Sequence, residues 1–233
     1  MKIGLANKKF INNNIGENRN TICKVLETNK GLDMIFFGEA FLNGFDGLTW
    51  DIDKDVKIVE EAISISLDKI KEVCIETSIG VGFGYFEVNL GNIYCSYIVI
   101  DKEGNVITNY RRQSSGWKIP NVSNKYKEGT DGVSFNVDNH YFDILLCGDG
   151  WDNDILNRYG KNNILLWPLY VNFDIYSDIQ SYIGRIKEKY NTVLIIGSLS
   201  DNPVSEGGSF VIKNSELVTS TTKNEESVLL VDL

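Results

Sequence analysis

Histidine is almost missing from this chain: His140 is the only one in 233 residues. That excludes a His-rich zinc site and leaves a Ser/His or Cys/His dyad only one possible base. Cysteine is scarce as well. Cys23, Cys74, Cys95 and Cys147 are scattered without CxxC spacing, too sparse for a disulfide scaffold, and read as reduced thiols of a cytoplasmic protein. Basic residues number 23 against 32 acidic ones, and the net charge of −9 argues against nucleic acid or an anionic membrane as a partner. Long apolar runs are lacking too. Stretches such as Ile164–Val171 stop at strand length, and MKIGLANKKF turns polar before a leader-like segment develops. With three prolines and no Gly/Ser-rich or Pro-rich linker, residues 1–233 are expected to form one domain.

What is present is ordinary for a folded protein: 42% apolar and 24% charged residues. Lys2–Ala6 and Asp33–Gly38 read as strands. Glu17–Asn29 reads as a helix, and Asp55–Thr77 as a longer one, with Val56, Val59, Ile63, Leu67, Ile70 and Cys74 along one side. Ile79–Glu87, Asn92–Asp101 and Asn105–Arg112 follow as strands joined by Asn-Leu-Gly-Asn and Lys-Glu-Gly turns suited to hairpins. After a polar stretch, Gln113–Asp131, the order restarts. Tyr141–Cys147, Asn163–Pro168, Thr192–Leu199, Ser209–Lys213, Glu216–Ser220 and Ser227–Val231 read as strands, with helices at Asp152–Tyr159 and Asp174–Lys189. Two halves of order β-α-β-α-β-β-β, each sheet apolar on both faces, predict an α/β four-layer α-β-β-α sandwich.

Three strand ends draw attention, because loops beyond strand C-termini gather functional side chains. Glu39 follows the apolar run Met34–Phe37, where partial desolvation is expected to raise a carboxyl toward the range of a general base. Arg111 and Arg112 close the strand from Asn105. Cys147 ends the strand Asp143–Leu146 at a turn into a helix, whose N-terminal amides are expected to acidify the thiol, with Asp149 opposing unless it caps that helix. Cys23, Cys74 and Cys95 read as core residues. His140 falls at the far end of the Cys147 strand and is poorly placed to serve as its base.

A Glu segment (IFFGEAFLNGF), a strand pair ending in a cation (DKEGNVITNYRRQ) and a Cys segment (ILLCGDGWDND), in that order along nearly the whole chain, resemble the nitrilase superfamily of carbon-nitrogen hydrolases. MKIGLA, LLWPLY and SEGGSFVIKNSELV are similar to its opening and later strands. The resemblance implies a nucleophilic Cys147, Glu39 as general base and acid, and an oxyanion-stabilising cation at Arg112, with no metal and no cofactor. The substrate implied is a small non-peptide amide, nitrile or N-carbamoyl compound, cleaved through a thioester or thioimidate on Cys147, by a homodimer or larger homo-oligomer. The sequence departs from the family pattern in three ways. Arg112 stands where the family has Lys, Gln113–Lys127 holds no carboxylate, and Asn153-Asp154 replaces a Pro-Glu pair. A catalytically impaired, ligand-binding or subunit-type protein is therefore the alternative, and Lys118 is a second candidate for the ammonium. Phe41, Phe45, Trp117 and Trp151, in loops Ala40–Trp50, Gln113–Lys127 and Gly148–Asp154, are expected to wall a small-ligand pocket or else to pack within the loops.

Overall fold

The computed structural model of the chain describes residues 1–160 and 162–233. Its elements run β1 (Lys2–Asn7), α1 (Ile15–Thr28), β2 (Met34–Phe36), α2 (Ile52–Thr77), β3 (Gly80–Asn89), β4 (Asn92–Ile100), β5 (Val106–Arg111), β6 (Tyr126–Lys127), β7 (Ser134–Val137), β8 (His140–Ile144), α3 (Asn153–Leu156), β9 (Ile164–Pro168), α4 (Ile175–Ile186), β10 (Thr192–Ile196), β11 (Leu199–Asp201), β12 (Val204–Glu206), β13 (Ser209–Lys213), β14 (Glu216–Ser220) and β15 (Ser227–Asp232).

Parallel neighbours need a crossover, and the two long helices of the first half supply it. Strands β1, β2 and β3 pair in parallel with α1 and α2 between them, while β3, β4 and β5 are antiparallel hairpin partners. The β3–β4 hairpin turns on Leu90 and Gly91, both at positive φ (51° and 70°), the backbone that a two-residue hairpin loop requires. Each long helix is started by a side chain: Asn14 accepts from the Glu17 amide and Asp51 from the Lys54 amide. The second sheet repeats the plan, with β8, β9 and β10 parallel and β13 and β14 added antiparallel.

Side-chain alternation along the second sheet builds two cores. Leu166, Leu194, Ile196 and Val211 join the first sheet, α1 and α2 in one cluster, whereas Leu165, Trp167, Val193, Ile195, Phe210 and Ile212 pack against α4. Each such apolar side chain removed from water contributes about 1.5–3 kcal/mol. The result is the α-β-β-α sandwich, helices outside and two sheets face to face. One strand departs from the expected halves. Ser227–Asp232 returns to the first sheet, where it pairs antiparallel with β1 from Lys2↔Asp232 to Asn7↔Ser227. The stretch from Gln113 to Asp131 is also less of a loop than its polarity suggests, since Trp117 and Tyr126 are buried and β6 continues the sheet beside β4. Among the described residues no helix is long and apolar enough to cross a membrane.

Candidate active site

Glu39 follows β2 at the point where the chain leaves the first sheet and meets the second. Its backbone N–H faces Leu169 O at 3.4 Å, just past the end of β9, and its side chain is completely buried. Oε1 accepts from Arg112 Nη1 at 2.7 Å and from the Cys95 thiol at 3.6 Å, while Oε2 is buried with no hydrogen-bond partner among the described residues.

Arg112 comes one residue after β5, and strand alternation decides between it and its neighbour. Arg111 turns to the other face, where it pairs with Glu87 and lies 4.0 Å over the Tyr94 ring. Arg112 turns inward and is 4% exposed. Its Nε donates to Ser114 Oγ at 2.9 Å, and its amide donates to Cys95 O at 2.8 Å. Burial works against the charge on Arg112, but the carboxylate of Glu39, backed by Cys147, Cys95 and Asp149, outweighs it and holds the guanidinium firmly protonated.

Cys147 opens a short 3-10 turn, Cys147–Trp151, and sits at φ 43°, a left-handed backbone that non-glycine residues seldom adopt. Its carbonyl accepts from Trp167 Nε1 at 2.9 Å, and its thiol lies 3.6 Å from Tyr170 O. The next residue must be small: a Cβ on Gly148 would fall 2.7 Å from Arg112 Nη2 and 2.8 Å from Ser114 Oγ. Asp149, fully buried, ties the turn to the segment after β5. Its Oδ1 accepts from the amides of Gln113 (3.1 Å) and Ser114 (2.7 Å), and its Oδ2 from Tyr110 OH (2.7 Å) and the Leu146 amide (3.3 Å).

Glu39, Arg112 and Cys147, from three distant stretches, thus meet in one place, where Cys147 is partly exposed as a residue but its thiol is buried. The expected acidification of Cys147 does not occur. Burial, and after it the charge of Glu39, push the thiol up to about 12, with Arg112 pulling it back only in part. A five-residue 3-10 turn aligns too few peptide dipoles to offset desolvation. Asp149 caps that turn, as expected if it were not to oppose the thiol.

Other candidates are placed elsewhere. Lys118 pairs with Glu128 and donates to Tyr126 O at 3.0 Å, so its ammonium is engaged away from Glu39. Trp151, at the end of the 3-10 turn, packs on Trp167 and Tyr182, residues of the helix-facing core, and stays 46% exposed, so it is no wall of the Glu39–Arg112–Cys147 site. Trp117 is sealed among Trp50, Phe86 and Tyr126, and Phe41 against Phe37 and Phe10, both as core. Phe45 stacks at 4.6 Å on Tyr170, whose backbone carbonyl contacts the Cys147 thiol. Phe10 also packs on Tyr170 and lines a surface cleft of about 480 Å³ with Asn12, Asp46 and Ser200. His140 begins β8 and lies at the end opposite Cys147, its Nδ1 3.0 Å from Asp138 O. Cys95 was read as plain core, yet it reaches Glu39. The signal was its register: it faces inward on β4, two strands from Glu39 and directly opposite Phe86.

A family model described as carbon-nitrogen hydrolase matches residues 12–126. No curated protein matches the chain by sequence. Among solved structures it is similar to an amidase of the nitrilase superfamily from Nesterenkonia sp. AN1, at TM-score 0.82 and 16% identity over 100% of this chain and 90% of that one. A variant of that amidase carrying acrylamide added at its active-site cysteine matches at TM-score 0.80 and 15% identity, over 100% and 93% of the two chains. Glutamine-dependent NAD+ synthetase from Acinetobacter baumannii matches at TM-score 0.81 and 18% identity; the match covers 98% of this chain but only 44% of the synthetase. At these identities the likeness is one of fold.

Proposed function

We propose that this chain, which the carbon-nitrogen hydrolase family model matches over residues 12–126, hydrolyses a small non-peptide amide, nitrile or N-carbamoyl compound through a covalent intermediate on Cys147. One observation carries this reading: a fully buried carboxylate with one oxygen held and the other unpartnered among the described residues, beside a partly exposed cysteine held on a strained backbone. A thiol with a pKa of about 12 holds almost no thiolate at neutral pH, so attack requires a base that removes its proton as the S–C bond forms. Glu39 Oε2 has the free valence to accept it. The tetrahedral oxyanion, or the imide anion of a nitrile, is stabilised by the Arg112 guanidinium, whose Nη2 faces Gly148 beside the nucleophile. For an amide or N-carbamoyl compound, collapse breaks the C–N bond as Glu39 returns the proton to the leaving amine; for a nitrile, the thioimidate first takes up one water, and ammonia leaves from that adduct. Water, deprotonated by the same carboxylate, then cleaves the thioester and restores the thiol.

The competing reading, binding without turnover, is favoured by the Arg112–Glu39 pair itself. A guanidinium is larger and more rigid than an ammonium, and here it is already bonded to the base and to Ser114. Ammonia release from a panel of small amides, nitriles and carbamoyl compounds separates the two. Release by the wild type that disappears in Cys147→Ala supports hydrolysis. No release across the panel, with release gained in Arg112→Lys, makes the chain an impaired member. Small molecules remain the proposed partners, and the homo-oligomer implied by the family is tested by light scattering of the purified protein.

A further inference from the structure

Glu39 is held unevenly. Two donors, a guanidinium N–H and a thiol S–H, converge on Oε1, and Oε2 has none among the described residues. A carboxylate facing one cation would normally gain by presenting both oxygens to it, in a two-pronged pair. Arg112 cannot offer the second prong to Glu39, because its Nε is bonded to Ser114 and its Nη2 packs against Gly148. What stops the carboxylate from rotating about its own axis is then the second donor, Cys95. That thiol is completely buried on β4, and its strand position is fixed by nine successive register pairs with β3, one of them opposite Phe86. Burial and the neighbouring charge of Glu39 keep it a neutral S–H, so it donates at every working pH and is not itself a nucleophile.

We propose that Cys95 is a positioning residue for the carboxylate base: its S–H pins Glu39 Oε1 beside Arg112, so that Oε2 alone is presented to take the proton of Cys147. This rests on the reading of Glu39 as the base. It assigns the two thiols at the site different tasks, Cys147 reacting and Cys95 orienting.

Alkylation of Cys147 by iodoacetamide, followed by intact mass and peptide mapping between pH 6 and 10, tests it without a known substrate. In that step the Cys147 S–C bond forms, iodide leaves and the proton passes to the base. With Glu39 assisting, the wild-type rate is flat with pH until the unassisted thiolate route overtakes it. Glu39→Gln replaces the plateau with a rate that climbs tenfold per pH unit up to the ionisation of Cys147. In Cys95→Ala, or in Cys95→Val if the alanine variant is unstable, the plateau falls roughly tenfold, the worth of one hydrogen bond to a charged group. The climbing limb then begins about one pH unit lower, and Cys95→Ser, which keeps a donor, restores the plateau. A wild-type rate that climbs with unit slope throughout removes Glu39 as the base, and this proposal with it. A flat wild-type profile that Cys95→Ala and Cys95→Val leave unchanged in height and onset overturns the role of Cys95 alone.

Discussion

Glu39 and Asp149 are both completely buried carboxylates, both near Arg112, and they are treated in opposite ways. Asp149 has four donors, two on each oxygen. Burial raises its pKa, and Tyr110 and Ser114 pull it back. Glu39 has both its donors on one oxygen and, among the described residues, none on the other. A buried polar atom left without a partner costs stability, about 1–3 kcal/mol, and native chains seldom leave one without a use for it. The contrast therefore separates scaffold from chemistry. Asp149 fixes the turn that carries Cys147, and Glu39 keeps a free valence for a proton.

The largest effect expected from that contrast is on Glu39. Substitution by Gln removes the proton acceptor while keeping its shape, and should lower turnover of any substrate found by about 10²–10⁴, the usual worth of a positioned general base. A steady-state assay on the best compound of the panel measures it. Turnover within a few-fold of wild type would make the two carboxylates equivalent, and the comparison would fail.

Asp149→Asn should act on stability. An amide presents one acceptor oxygen and an NH2 group where the carboxylate met four donors, so at least one N–H or O–H is orphaned at about 1–3 kcal/mol. For a chain of this size that lowers Tm by roughly 5 °C, measured by thermal unfolding. Arg112→Lys is smaller again. The ammonium keeps the charge but cannot hold Glu39 and Ser114 together, so turnover should fall by about tenfold, and a rise instead would mean that the guanidinium obstructs the site.

Periodicity made the layers readable before any coordinates. The recurrence of Val59, Ile63, Ile70 and Cys74 at intervals of four and seven residues is the buried face of α2, and the Asn-Leu-Gly-Asn string is the β3–β4 turn. Glu39, Arg112 and Cys147 were legible as candidates because each follows a strand, where connecting segments gather functional side chains. Three features were hidden for physical reasons. The return of β15 to the first sheet is a long-range pairing with no local signature. The direction of the Cys147 shift depends on how much water the fold excludes, which a helix-start pattern cannot express. Cys95 is the core residue expected, but its contact with Glu39 depends on strand register, and Trp151 was misplaced because the 3-10 turn sets its direction; no single residue type reveals either.

A surface carboxylate sharpens the comparison from the weak end. Asp174, at the start of α4, also has donors on both oxygens, three in all, but in water: it accepts from the Ser177 amide at 3.2 Å and hydroxyl at 2.7 Å, and pairs with Lys223 at 2.9 Å. Those donors, Ser177 first and Lys223 next, hold its carboxyl down at about 2. A folded-state pKa depressed below the unfolded value of about 3.9 contributes stability that is complete above that value and lost as pH falls through the folded one. The Tm advantage of wild type over Asp174→Ala should therefore be constant from neutrality down to roughly pH 4 and shrink between there and about pH 2. Added salt at about 1 M should remove the Lys223 share and leave that of Ser177, because screening weakens an exposed ion pair far more than a short hydrogen bond at a helix cap. A difference that ignores both acid and salt would mean that Asp174 acts through packing, and that satisfied donors alone do not explain why one carboxylate is structural and another is not.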